Sequence, residues 1–461
     1  MIVTLSKLTR PVYRTAFLSG ISMIAAMGGL LFGFDLGIIT GVIPFIQKQF
    51  NINDFSLGWV VAIFELGCIA GTFIIAVLAD KLGRKKCLIL IACSFIITTI
   101  GASLASSAFD LSIWRFLQGI GVGAASVVSP MYIAEIAPAE IRGRLVTINQ
   151  VTIILGILLA TIASYIFGDP NDIESWRWMF ACGLIPAILF FCLLFVIPES
   201  PRWFINRGLN KNAIKVLEKI GNKVYAQKEM LLITESLKQT KAKGSYTMLF
   251  SKAVLPVLII GFGVAIIQQF SGSNMVTAYL QIIFEKANIS IKNGLLLGVL
   301  VGGIFFISTI AAIFLVDKIG RRKLLLLGTS LMAIFLFLLA ISFNYSSVNA
   351  NLILWLVIGF IATYALTLAP VTWVLLSEIF PNRLRGKALS LSSAVLWFSC
   401  FLVVLVSPYL LRISPVFNFC IFGILNAVGF IFVFKKVPET KGKSLEQIEK
   451  ALFKRDELNQ I

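Results

Sequence analysis

Two acids stand in apolar surroundings where an ionised group is costly. Asp35 lies in the run GGLLFGFDLGIITG (28–41), and no Lys, Arg or His falls within ten residues of it. Glu65 lies in a second apolar run, VVAIFELGCIAG (60–71). A carboxyl so placed must find a partner across helices or hold a proton. The chain contains no His, so any proton-carrying chemistry falls to carboxyls. The adjacent amides Gln268 and Gln269, in QQFSGSN, offer donors and acceptors for neutral hydroxyls, or glue between helices. Seven Cys lie in or at the ends of apolar runs without metal-binding spacing, so they read as small core residues and no metal site is expected.

The elements that position these residues are membrane helices. Of 461 residues, 58% are hydrophobic and only 13% charged, too little charge to cover a soluble domain of this length. Runs of about 20 apolar residues, enough to span a bilayer as helix, recur at 17–47, 58–79, 87–107, 109–134, 145–168, 178–197, 253–284, 293–316, 324–343, 352–377, 388–411 and 414–434. The first run continues into a Gly-rich span without a small-residue cleavage site, so it reads as a retained helix. A polar segment at 201–252 with helical spacing separates six spans from six. The expected organisation is an N-terminal bundle (1–200), a cytosolic helical linker (201–252), a C-terminal bundle (253–434) and a cytosolic tail (435–461).

The net charge of +18 is a topology signal rather than a nucleic-acid footprint. With both termini in the cytosol, 34 of the 40 Lys and Arg fall on cytosolic segments. The halves also repeat: DKLGRKK (80–86) returns as DKIGRRK (317–323), EIAPAEIRGR (135–144) as EIFPNRLRGK (378–387), and PESPRW (198–203) as PETKGK (438–443). The near-constant offset implies two parallel six-helix bundles with a substrate site between them near mid-membrane. Within these motifs Glu135 with Arg142, Glu378 with Arg385, Asp80 with Arg84 and Asp317 with Arg321 set acid and base at one face, with Glu199 beside them. Such pairs can clamp the cytosolic ends of the bundles in one state and release them in another, or serve as interfacial anchors.

The motifs DKLGRKK, RFLQGIGVGAASVVSPMYIAEIAPAEIRGR, PESPRWF, QQFSGSN, VDKIGRRK, WVLLSEIFPNRLRGKA and VPETKGKSLEQIE resemble the sugar porter family of the major facilitator superfamily. The resemblance covers essentially the whole chain. It implies an all-α membrane protein of twelve helices in two pseudo-symmetric bundles, a transporter rather than an enzyme, working without a cofactor other than the coupling proton. The implied setting is a bacterial inner membrane, the protein acting as a monomer on a small sugar or polyol. Proton symporters of the family carry Asp where this chain has Asp35, whereas facilitators carry Asn, and Arg115 matches the base that pairs with that acid. By helical rise, Asp35 lies about 27 Å above Phe17 and Arg115 about 30 Å above Glu135, depths that permit pairing. A pair that forms and breaks would couple proton binding to which side is open; a permanent structural pair is the alternative. Glu65, about 22 Å above Asp80, is less usual in the family and reads as a second titrating group, a partner for Arg115, or a neutral hydrogen-bonded acid.

The resemblance places the substrate on Phe32, Gln150, Gln268, Gln269, Asn274, Trp373 and Trp397, amides and rings suited to a polyol's hydroxyls and C–H faces. Gly272 should loosen the seventh helix, with Tyr279 as an outer gate. Four positions depart from the family pattern: Ala278, Phe305, Ala369 and Leu396. Three hydrogen-bonding side chains are thereby missing, at about 0.5–1.5 kcal/mol net each, which leaves a pentose, a deoxy-sugar, a cyclic polyol or a non-sugar open. A uniporter, a non-transporting sugar sensor and a drug–proton antiporter are the rival readings. A sensor would be expected to carry a long signalling tail, whereas about 27 residues follow the last span here, and an antiporter a Gly/Pro-rich fifth helix, whereas VTIILGILLATIASYIFG stands here.

Overall fold

In a computed structural model the described residues are 13–138, 140–239, 246–345, 349–381 and 384–442. The side chain of Asp317 and the tail from 443 lie outside them, so the expectations placed there are not addressed. The described chain is helical and carries twelve helices long and apolar enough to cross a membrane. They are Thr15–Phe50, Asp54–Leu82, Arg84–Ser103, Ala108–Ile136, Arg142–Phe167 and Trp176–Leu193, then Leu255–Ala278, Ile291–Val316, Arg321–Asn344, Ala350–Ile379, Arg385–Ile413 and Pro415–Lys436. Their ends follow local chemistry. The Asn53 side chain accepts from the Ser56 amide at 2.8 Å and Ser107 from the Asp110 amide at 3.1 Å, each satisfying an orphan donor of a first turn. Large apolar side chains such as Phe109 and Ile185 remain exposed on the outer faces, as a lipid solvent requires.

Two spans are broken where the sequence forces it. Gly272 takes φ +86° between Leu255–Phe270 and Ser273–Ala278, a left-handed conformation that favours glycine. The chain turns again at Tyr279 before a third piece, Leu280–Lys286. The tenth span, expected to be continuous, breaks at Thr367 between Ala350–Leu366 and Leu368–Ile379. Pro370 explains this: it has no N–H, and its ring crowds the carbonyl four residues back, at Leu366. The sixth span ends at Leu193 rather than 197.

The first span packs on the fifth and the second on the fourth, while the second meets the eleventh and the fifth meets the eighth across the halves. Close backbone approach sets these contacts. A Cβ on Gly67 would lie 2.1 Å from the Phe116 carbonyl, and one on Gly119 2.0 Å from that of Phe64. Polar ties between the halves run at the end away from the basic loops. Thr40 donates to the Thr277 carbonyl at 2.9 Å, Lys292 to the Tyr165 and Gly168 carbonyls at 3.0 and 3.2 Å, and Arg412 meets Asp54 at 2.8 Å. The interspersed segment forms the helices Pro201–Asn206, Asn210–Ile220 and Lys223–Gln239. It docks on the first half, where the Arg14 amide donates to the Ile220 carbonyl at 2.8 Å and the Trp203 indole to that of Asp80 at 3.1 Å.

Candidate functional site

Asp35, Glu65 and Arg115 are 5, 4 and 1% exposed. Counted along their helices they sit about 25–31 Å from the basic-loop ends of their spans, and Arg115 is within electrostatic range of both acids. The direct contact differs from the expected one. Arg115 Nη1 reaches the backbone carbonyl of Asp35 at 3.5 Å and Gln118 Oε1 at 3.4 Å, and no ion pair within 4.0 Å joins Arg115 to either carboxylate among the described residues. The reason lies on the second span. The Phe64 ring covers the guanidinium face at 4.3 Å, which fixes its plane beside the backbone of Asp35. Asp35 Oδ2, Glu65 Oε2, Arg115 Nε and Gln118 Nε2 are left buried without a protein partner. Four such atoms in one cluster are costly, and their persistence marks a site kept for something other than stability.

Beside this cluster lie the amides of the broken seventh span. Gln268 Nε2 donates to the Tyr364 hydroxyl at 2.8 Å, and Asn274 Nδ2 donates to Gln269 Oε1 and to Cys400 Sγ, the latter at 2.9 Å. Cys400 also lies close to Glu65, from the opposite half. Phe32 meets Trp397 across the halves with ring centroids 5.7 Å apart. Asp35, Glu65, Arg115, Phe32, Trp397, Gln269 and Asn274 therefore share one connected region. Trp373, at 39% exposed against 6% for Trp397, stands apart from that contact on the stretch beyond the Thr367 break. Gln150 is partly exposed next to buried Asn149, whose Oδ1 is unpaired. Tyr279 is buried with its hydroxyl donating to the Val404 carbonyl at 2.7 Å, a latch within one half. Phe305 packs edge-on against Tyr364 with centroids 6.1 Å apart, and Ala278, Ala369 and Leu396 are buried.

Sequence reasoning missed Tyr364, Cys400 and Gln118. A Tyr six residues before the helix-breaking Pro370 was the available signal for the first. Cys400 carried none, because a buried thiol in an apolar run looks the same whether or not acids and amides surround it.

At the basic end the repeated motifs build the same network twice. Arg84 Nη2 pairs with Glu135 at 2.9 Å while Ser200 Oγ donates to Glu135 at 2.5 Å; Arg321 Nη2 pairs with Glu378 at 3.0 Å while Thr440 Oγ1 donates to Glu378 at 2.6 Å. Glu199 accepts the backbone amides of Arg84 and Lys85, and Glu439 those of Arg321 and Arg322, so each carboxylate caps a helix start. The glycine of each motif is required: Gly83 and Gly320 have φ of +94° and +99°, and a Cβ there would meet Glu199 or Glu439 oxygens at 2.3 and 2.7 Å. Burial raises Glu199 above the usual carboxylate range against the pull of the Ser200, Lys85 and Arg84 amides. For Glu439 burial acts in the same sense but is outweighed by the amides of Lys441, Arg321, Thr440 and Arg322, which hold it low.

The partners correct the expected pairing. Glu135 takes Arg84, whereas Arg142 donates to the Ala137 carbonyl at 3.3 Å; Glu378 takes Arg321, whereas Arg385 donates to the Phe380 carbonyl at 3.3 Å. A Pro follows each acid within three residues and ends its helix, turning the later Arg back onto that helix's last carbonyls. Asp80 completes the first cluster at 3.5 Å from Arg84. These ties lie within one half each. Glu135→Gln, which leaves Arg84 half-paired in a largely buried setting, is expected to lower the maximal uptake rate several-fold with little change in half-saturating substrate concentration. Equal loss in both quantities would show that the network shapes the binding site instead.

A model of the family described as sugar (and other) transporter matches residues 21–452. The arabinose–proton symporter of Bacillus subtilis (strain 168) is 35% identical over 440 residues, covering 94% of this chain and 95% of that protein. The D-xylose–proton symporter of Escherichia coli (strain K12) is 36% identical over 475 residues, covering 95 and 96%. Among solved structures, the inward open conformation of the xylose transporter XylE from E. coli superposes with a TM-score of 0.83 at 35% identity, covering 95% of this chain and all of that one. The proton:xylose symporter XylE bound to 6-bromo-6-deoxy-D-glucose gives 0.79 at 36% identity.

Proposed function

Since this chain belongs to the sugar (and other) transporter family, we propose that it takes up a monosaccharide together with a proton by alternating access, with a pentose as the preferred cargo. The carrying observation is that unpaired buried carboxyls adjoin a ring-and-amide cluster built from both halves. Asp35 and Arg115 form the coupling pair, with Glu65 as its companion. The proton is the only coupling ion. In the present conformation the guanidinium is on the Asp35 backbone, and its movement onto the carboxylate would exchange one counter-charge of that acid, a proton, for another. The hydrogen bonds across the halves close the side opposite the basic loops. That side is the outside if the basic loops are cytosolic, as are then both termini.

Sugar hydroxyls would replace the partners that Gln268, Gln269 and Asn274 now find in Tyr364, in each other and in Cys400, with Gln150 completing the ring of amides. Phe32, Trp397 and Trp373 would cover the C–H faces, and Tyr279 would close the outer end. Phe305 against Tyr364 narrows one wall with carbon. A smaller sugar loses less there than a hexose with one more hydroxymethyl group, and the relatives named for arabinose and xylose agree. The networks around Arg84 and Arg321 brace the cytosolic ends of each half. Because both faces of the site come from one chain, a monomer in the plasma membrane suffices.

Uptake into proteoliposomes over a panel of pentoses, hexoses and polyols, with and without an imposed pH gradient, tests the reading. The expected result is pentose accumulation above equilibrium only under an inward proton gradient. Uptake that equilibrates and never accumulates would overturn symport.

A further inference from the structure

The seventh and tenth spans are both broken, and a buried polar pair joins the stretches just before the two breaks. Gln268 precedes Gly272, and Tyr364 precedes Thr367. Gln268 Nε2 donates to the Tyr364 hydroxyl at 2.8 Å, which engages one end of the carboxamide. The other end is idle: Oε1 is buried without a protein partner. An amide kept only as glue between helices would have both ends satisfied, because a buried orphan acceptor is costly. The phenol oxygen that accepts from Gln268 also carries a proton to donate. Phe305 packs edge-on against the Tyr364 ring with centroids 6.1 Å apart, and both side chains are buried, so the ring is held and its hydroxyl keeps its place.

We propose that Tyr364 is a substrate-binding, specificity-determining residue whose hydroxyl shares one sugar hydroxyl with Gln268. This rests on the sugar-uptake reading above, in which Tyr364 is only the present partner of Gln268. A sugar hydroxyl has two lone pairs and one proton. Entering between the two side chains, it accepts from Gln268 Nε2 with one lone pair and from the Tyr364 O–H with the other. The adjacent sugar hydroxyl then donates to Oε1, and the orphan acceptor is satisfied. A vicinal diol is the group this pair is built to receive. A sugar carbon bearing only hydrogen at that place leaves donors of both side chains without their partner. Sites built to hydrogen-bond a hydroxyl reject analogues that lack it far more strongly than apolar pockets reject a change of size. Tyr364 therefore demands a hydroxyl beside the carbon wall that Phe305 provides.

The test is competition. Proteoliposomes take up labelled D-xylose against unlabelled D-xylose or each of its analogues lacking the hydroxyl at carbon two, three or four, for the wild type, Tyr364→Phe and Gln268→Ala. Tyr364→Phe removes one oxygen and leaves the ring against Phe305. It is expected to weaken D-xylose about fivefold and two of the analogues by the same factor. One analogue competes as well as it does with the wild type, because the hydroxyl that Tyr364 would hold is already missing from it. Its unchanged competition also reports that the variant is folded. Gln268→Ala is expected to weaken D-xylose further, with that same analogue among the least affected. A Tyr364→Phe protein in which D-xylose and all three analogues weaken alike overturns the proposal, since a purely structural role scales every sugar equally. So does a Tyr364→Phe protein indistinguishable from the wild type, or a Gln268→Ala protein that marks only other hydroxyls. Labelled D-xylose that equilibrates and never accumulates under a proton gradient overturns the symport reading while leaving these ratios measurable, so the two failures are distinct.

Discussion

Asp35→Asn abolishes accumulation: under an inward proton gradient the internal sugar concentration rises to the external one and stops, while exchange of labelled sugar remains measurable. Asn keeps the shape and hydrogen-bonding capacity of the side chain but cannot lose or gain the proton. For one proton per sugar, one pH unit supports roughly tenfold accumulation, since both correspond to about 1.4 kcal/mol. The variant should lose all of it. Asp35 suits this role because it is buried, has an unpaired oxygen and touches the guanidinium only through its own carbonyl. A membrane acid kept for packing would have had that oxygen satisfied. The measurement is internal label at steady state with and without the gradient; sustained accumulation by the Asn variant would move the coupling to Glu65 alone.

Gly33→Ala is expected to produce the largest loss of stability of any single methyl addition near the site. A Cβ at residue 33 would lie 1.7 Å from the carbonyl oxygen of Ile153 and 2.7 Å from its carbon. Both are backbone atoms and cannot rotate aside. The reciprocal contact is equally close, since a Cβ on Gly156 would lie 2.1 Å from the Leu30 carbonyl. The first and fifth spans would have to separate, at a cost at or above the roughly 3 kcal/mol upper end of ordinary overpacking. Because Phe32 and Asp35 flank Gly33, separation also displaces both the ring contact with Trp397 and the acid. Thermal unfolding of detergent-purified protein reads the effect. Gly303→Ala is the control, as nothing lies within 4 Å of the Cβ it would add. Equal melting of the two variants would mean that the first–fifth contact yields without strain.

Much of the molecule was legible from the chain alone because membrane solvation acts residue by residue. A span must be helical, long and apolar wherever it packs, so twelve spans read from hydropathy and found again within a few residues need no tertiary knowledge. The break at Gly272 was equally local, a conformational matter for one residue. Pro370 carried the same kind of information for the break at Thr367, which the apolar length of the tenth span concealed. The repeated charged motifs revealed two like halves, and the structure gives each the same Arg–Glu network.

What the sequence alone determined, then, is the twelve-helix membrane fold, its internal duplication and the presence of stray acids in apolar helices. Each follows from local rules of solvation, backbone geometry or spacing. Partner choice was decided only by the tertiary structure. Spacing along the chain offered Arg142 to Glu135, but the helix ends at the intervening Pro, and Arg84 arrives from another helix instead. Rise along the helices set Arg115 level with Asp35, but a ring one residue from Glu65 fixes the guanidinium on a carbonyl. Hydrogen bonds and ion pairs act over about 3–4 Å, a scale set by helix rotation and crossing. No depth count or motif register carries that information, and the contact of Asn274 with Cys400 could emerge only once the helices were packed.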